Sequence, residues 1–171
     1  MKKFALLLVA MFAFMATASA QKFALVDMEY ILKNIPAYEM ANEQLNQVSQ
    51  RWQREVDDLK KAADAMYKNY QSESVFLTDD QKKKKEEEIV AKEKEAMQLN
   101  AKYFGPQGEL FKKRQSLMKP IQDDIYAAVK KVSEERGLQV IFDRASSQSI
   151  IFASPNIDIS NQVLEKLGYS K

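Results

Sequence analysis

Between Ala37 and Gln71 the chain has neither glycine nor proline, and its apolar residues recur at steps of three and four. Ala41, Leu45, Val48, Trp52, Val56, Leu59, Ala63, Met66 and Tyr70 make up this row. That spacing puts every member on one side of an α-helix, and the residues between them are mostly charged or amide. The row is narrow, closer to a coiled-coil seam than to the broad face of a globular helix. A helix of this kind must find a partner. The successive four-residue steps Val48–Trp52–Val56 break the heptad and are expected to unwind the supercoil locally. Pro36 suits the first helical position, with Asn34 upstream where a cap is expected.

The partner follows in sequence. Ser72 to Leu77 interrupts the row, and Thr78-Asp79-Asp80-Gln81 reads as a capping box with Thr78 as N-cap. One helix is therefore expected to end near 72 and another to begin near 78, forming an antiparallel hairpin. Along the return helix, Val90, Met97, Phe104, Phe111, Met118, Ile125 and Val132 lie seven residues apart. Ala96, Tyr103, Leu110 and Leu117 run one residue earlier. Gly105-Pro106 and Pro120 are expected to kink this helix or split it, with 104–108 as an articulation. An arm of about 35–40 residues extends roughly 55 Å at 1.5 Å per residue.

Short elements flank the hairpin. Phe23 to Asp27 reads as a strand. Gly137 stops the return helix, and 138–143 and 149–153 read as two strands that pair through the turn 144–148. Asp158 or Ser160 is expected to cap a last short helix carrying Val163, Leu164 and Leu167 and closed by Gly168. Three short strands make too small a sheet for an independent core, which points to oligomerisation through the strand region. A closed ring of strands would also leave no exposed edge. The fold class is thus mainly α with a small β component. The expected divisions are a signal peptide over 1–20, a β-containing body over 21–35 and 112–171, and an arm over 36–111 with its tip near 72–78.

The signal reading rests on Lys2 and Lys3, the apolar run from Phe4 to Ala16, and Ala18-Ser19-Ala20 as a cleavage site before Gln21. The whole chain has 26 basic and 24 acidic residues. Removing Lys2 and Lys3 leaves 24 of each. A neutral chain with dense, balanced charge does not suit a nucleic-acid binder. Cysteine and histidine are both absent, which excludes disulfides, thiolate nucleophiles and Cys/His metal sites. Adjacent carboxylates such as Asp123-Asp124 point in different directions on a helix, and Gly105-Pro106-Gln107-Gly108 lacks the lysine and strand context of a phosphate loop. No catalytic constellation and no cofactor is expected.

What remains is the chemistry of contact. Lys82, Lys83, Lys84 and Lys85 form a basic patch near the tip, suited to solvent, to acidic clients or to an anionic membrane surface. Val75, Phe76 and Leu77 are either a staple on the turn or an exposed apolar contact. Met66, Tyr70 and Met97 are seam residues of adaptable type that also suit varied partners. Assembly through the strands would use Phe23, Leu25, Val26, Val140, Ile141, Phe142, Ile150, Ile151 and Phe152.

The order of these features resembles the Skp/OmpH family of periplasmic chaperones. The matching stretches are FALVDMEYIL and PAYEMANEQL near the start, then FGPQGELFKKRQSLMKPIQDDIYAAVKKV and ERGLQVIFDRASSQSIIFASPNIDISNQVLEKLG. The FGPQGELFKKRQ form is similar to the branch found in Bacteroidetes-type bacteria. The resemblance implies a periplasmic homotrimer with a small β-barrel body and three helical arms around a cavity. It further implies ATP-independent holding of unfolded outer-membrane β-barrel proteins. A structural adaptor of an envelope complex is the alternative. Better-known members have strongly basic arms. In this neutral chain, holding is expected to depend more on apolar and adaptable contacts.

Overall fold

The computed structural model describes residues 22–147 and 149–169; the expected signal peptide over 1–20 and the expected cleavage before Gln21 lie outside them. The described chain is mainly helical, with one two-stranded sheet. Strand β1 (Phe23–Val26) is followed by the short helix α1 (Met28–Lys33) and the long helix α2 (Pro36–Glu73). A 3-10 turn at Ser74–Phe76 leads into α3 (Asp79–Phe104) and then α4 (Glu109–Arg136). Strand β2 (Val140–Asp143), a second 3-10 turn at Pro155–Ile157 and α5 (Ser160–Lys166) complete it. The chain divides into two compact units, one of Met1–Asn34 with Ile125–Lys171 and one of Ile35–Asp124.

In the arm, α2 and α3 pack against each other. Glu73 meets Lys85, Tyr70 meets Glu86 and Glu55 meets Tyr103, so one number rises as the other falls. That is antiparallel pairing. All nine residues of the α2 row are buried or half-buried, with Ala41, Leu45, Val56 and Ala63 fully inside. Proline opens α2 as expected, but its N-cap is Ile35 and has no side-chain bond. Asn34 instead ends α1, donating its side-chain amide to the Tyr30 carbonyl. The capping box is present in both directions: Gln81 N–H donates to Thr78 Oγ1, and Thr78 N–H donates to Gln81 Oε1 at 2.9 Å.

The seam of α3 differs from the expected one by a residue. Its inward positions are Lys82, Lys85, Ile89, Lys92, Ala96, Leu99 and Tyr103, alternating steps of three and four. Ile89 is 6% exposed and its neighbour Val90 59%. Met97 and Phe111 of the expected row are exposed as well. The row from Val90 to Val132 looked stronger because its members are larger and its period stricter. The seam, however, takes the neighbouring row, in which Ile89 and Ala96 are buried.

The break after Phe104 is real and tight. Gly105 N–H donates to Ala101 O, Gly108 N–H to Gly105 O, and Lys112 N–H to Gly108 O, so the hydrogen-bond ladder resumes after one turn. A Cβ on Gly108 would lie 2.7 Å from the Tyr103 carbonyl oxygen, which explains the glycine. Pro120, by contrast, sits inside an uninterrupted α4.

The body is built on a parallel pair. Phe23, Ala24, Leu25 and Val26 register with Val140, Ile141, Phe142 and Asp143. Residues 149–153 form no strand, so the expected hairpin with 138–143 is absent. Their β-branched run has strand propensity, but it lies unpaired although β2 is bonded to β1 along one edge only. Ala24, Leu25, Val26, Ile31, Ile125, Ala128, Val132, Ile159, Val163 and Leu164 are the buried residues of this unit, and α1 packs on α5. Gly137, at a φ of 63°, ends α4 in the left-handed region where a side chain is strained.

A polar clamp joins the strand ends to both short helices. Asp27 Oδ1 caps α1 by accepting from Tyr30 N–H at 2.8 Å. Asp143 Oδ1 accepts from Met28 N–H at 3.1 Å and Ala145 N–H at 3.0 Å. Arg144 bridges Asp27 and Asp158 at 3.2 and 3.3 Å. Ser160 Oγ accepts from Asp27 N–H and donates to Asp158 Oδ1. Neither Asp158 nor Ser160 is the N-cap of α5, which is Ile159, but Asp158 Oδ1 accepts from Ser160 N–H one position upstream.

Two expectations follow. Ile89→Ala should lower the unfolding free energy by about 2–3 kcal/mol. Val90→Ala should be neutral or stabilise by up to about 0.5 kcal/mol, since it loses no packing and gains helix propensity. Phe111→Ala should cost under about 1 kcal/mol. Urea melts followed by circular dichroism decide; a Val90 loss as large as that at Ile89 would refute the seam. The second concerns Asp143. Burial pushes its carboxyl up, but hydrogen bonds from Ser146, Met28 and Ala145 outweigh this and hold it below the usual range. Its contribution is present above about pH 4 and is lost as pH falls through the lowered native value. Asp143→Ala should cost about 1–3 kcal/mol at pH 7 and flatten the acid limb of a stability–pH curve.

Candidate functional site

A two-helix arm has one seam, and most large apolar side chains off that seam face water. Val75 and Phe76 lie on the 3-10 turn at the tip, 79% and 85% exposed, while Leu77 is half-buried against the turn. Tyr67 on α2 and Val90 and Met97 on α3 add exposed apolar surface along the shaft, and Met40 adds more on the first turns of α2. Met66 and Tyr70 are half-buried seam residues. Tyr67, Val90 and Met40 were not singled out from the sequence. Tyr67 follows a seam position directly, and Val90 was read as a seam residue itself.

The four tip lysines divide into pairs. Lys82 and Lys85 turn inward, half-buried. Lys85 Nζ lies 2.8 Å from Glu73 on the opposite helix and Lys82 Nζ 3.9 Å from Asp79. Lys83 and Lys84 are exposed and make no ion pair among the described residues. Glu73, Asp79, Asp80, Glu86, Glu87 and Glu88 lie near the four lysines in sequence, so the charge at the tip is mixed.

Two tyrosines fasten the helices together. Tyr103 Oη donates to Glu55 at 2.6 Å and its ring stacks on Trp52 at 4.7 Å. Tyr70 Oη donates to Glu86. The hydrogen bond to the carboxylate pushes each phenol above its ordinary pKa, because a phenolate there would lose the bond and face a negative charge.

The body exposes a second apolar surface. Phe23, Val140, Phe142, Ile151 and Phe152 are all exposed, Ile151 to 98% and Phe152 to 85%. An open recess of about 680 Å³ lies against Phe23, Phe142, Ile150, Ile151 and Phe152. Its rim includes Ser147, Ser149 and Ser154, and no charged side chain lines it. Of the residues named for assembly, Leu25 and Val26 are covered within the single chain, and Ile141 and Ile150 are half-buried. Alternation along β1 does not separate these two sets, because β1 is buried at three consecutive positions.

Among the described residues no cluster of carboxylates could hold a metal ion, and no helix is long and apolar enough to cross a membrane. What the two surfaces offer is apolar contact.

The family model described as outer membrane protein (OmpH-like) matches residues 22–167. No curated protein matches the chain. Among solved structures, the chain is similar to a protein from Caulobacter crescentus CB15 assigned as an OmpH-like outer membrane chaperone. The TM-score is 0.69 at 15% identity, over 87% of this chain and 85% of that one. At that identity the likeness establishes the fold, and the family match establishes kinship. A mainly helical chain with a long hairpin, a small parallel sheet and two uncovered apolar surfaces, matched by that model over residues 22–167, belongs to the OmpH-like family.

Proposed function

We propose that this protein is an ATP-independent holdase of the periplasm that keeps unfolded outer-membrane β-barrel proteins from aggregating. The observation that carries this reading is the row of exposed apolar side chains on the arm, Tyr67, Val75, Phe76, Val90 and Met97, on helices otherwise covered in balanced charge. Precursors of β-barrels present unpaired strand edges and alternating apolar residues, which associate edge to edge. Scattered apolar contacts between charged neighbours bind such segments weakly and at many points. Many weak contacts give avidity without enforcing one client shape. The mixed charge of the tip favours apolar over electrostatic capture.

The working form is a homotrimer. Its support is the body's second surface: Phe23, Val140, Phe142, Ile151 and Phe152 leave an apolar face that a lone subunit exposes to water. Burying it between copies would complete a small strand barrel and give the sheet a core it lacks. Three arms around one axis would then enclose the client.

Static light scattering at micromolar concentration should return three times the monomer mass, and Ile151→Asp/Phe152→Asp should return the monomer. Diluting a urea-unfolded porin into excess trimer should suppress turbidity without nucleotide. Val75→Ser/Phe76→Ser should weaken that suppression severalfold while leaving the trimer intact. A monomer in the first measurement, or turbidity unchanged at several-fold trimer excess, would refute the corresponding half of the reading.

A further inference from the structure

The arm changes character along its length. From Leu45 to Ala63 on α2 and from Ile89 to Tyr103 on α3, the seam holds Val56, Ala63, Ile89 and Ala96, all buried, and the Trp52–Tyr103 stack, with Lys92 a single half-buried lysine among them. Distal to these, none of residues 64–88 has a buried side chain. The inward α3 positions of that stretch are Lys82 and Lys85. Across from them, α2 offers Met66 and Tyr70, both half-buried. What closes the distal seam is polar: the Lys85–Glu73 pair and the Tyr70–Glu86 hydrogen bond cross between the helices, and the Lys82–Asp79 pair stays within one. Exposed pairs of this kind add little net stability, since each holds two long side chains still in a medium that screens them. Seam burial, the usual source of hairpin stability, is missing here.

We propose that residues 64–88 form a separately opening unit: the distal arm unzips from the tip as far as Ala63 and Ile89 while the proximal arm stays closed. Helical segments of this length are marginal in water once unpaired, so opening also frays them. Opening releases Met66 and Tyr70 next to Tyr67, Val75 and Phe76, and turns two half-buried adaptable side chains into contact surface. The lysines at 82 and 85 set the ease of opening, because their partly exposed side chains stand where apolar ones would add seam burial. The use of this surface for clients rests on the holdase reading, whereas the opening itself does not.

Hydrogen exchange read by mass spectrometry, on the protein without any client, tests it. Peptides within 64–88 should exchange about 100-fold faster than those within 45–63 and 89–103, after correction for intrinsic rates. Lys82→Met/Lys85→Met fills the distal seam with apolar side chains, and should slow exchange over 64–88 by about tenfold while leaving the proximal peptides unchanged. Lys82→Arg/Lys85→Arg should leave both regions as they are. Uniform protection along the arm overturns the proposal, and so does a methionine variant whose tip exchanges as fast as before. Since no client is present, a failed turbidity assay leaves this result standing.

Discussion

Two helices in contact share a single line of burial, and the arm's stability depends on what occupies that line. Each helix of a pair can hide only the side chains that point straight at its neighbour. In α2 and α3 those positions hold alanine, aliphatic residues, one Trp–Tyr stack, and then lysine. A globular domain would have a second and third layer in which to hide Phe76, Val90 or Met97. Here there is none within the subunit, so those side chains stay in water. Exposure of apolar surface is thus a product of the architecture as much as of the sequence. It requires the intervening charge to keep the protein soluble.

The body meets the same shortage differently. Its sheet has two strands, parallel, with four residues in each. Such a pair cannot cover itself: β1 is buried at Ala24, Leu25 and Val26 beside Ile31, Ile159, Val163 and Leu164, but Phe23, Val140 and Phe142 stay exposed. The polar clamp of Asp27, Asp143, Arg144, Asp158 and Ser160 compensates in part by fixing where the strands end and the helices begin. The surface around Phe23, Val140 and Phe142 remains apolar and open.

The arm was legible in the sequence because helical period, a capping box and the lack of glycine all act locally. The α2 row is buried or half-buried at every named position, and Thr78 and Gln81 cap each other as their types require. Legibility failed where a choice depended on a partner. Ile89 and Val90 differ by one position, and only the phase of α2 against α3 decides which faces inward. Residues 149–153 have strand propensity, but no edge within the subunit receives them. The pairing of β1 with β2 has no local signal at all, since the partners lie at opposite ends of the chain. Likewise, Lys82 and Lys85 read as part of a surface patch until the seam phase turned them inward. Surface patches formed by such leftovers follow from packing, so sequence spacing alone does not locate them.

The parallel register of β1 with β2 has a consequence for how the chain comes together. Nearly the whole arm separates Phe23 from Val140, so their contact is among the longest-range in the molecule, and direct closure of a flexible loop that size is entropically slow. The arm, in contrast, is held by neighbours across a short turn and can zip early. Once it has zipped, it replaces a long floppy loop by a rod that returns the chain toward its start. The sheet then closes a short gap, not a random walk. The pairing of β1 therefore requires residues 140–143, which lie beyond the whole hairpin in sequence, so a chain that stops short of them leaves β1 without its partner.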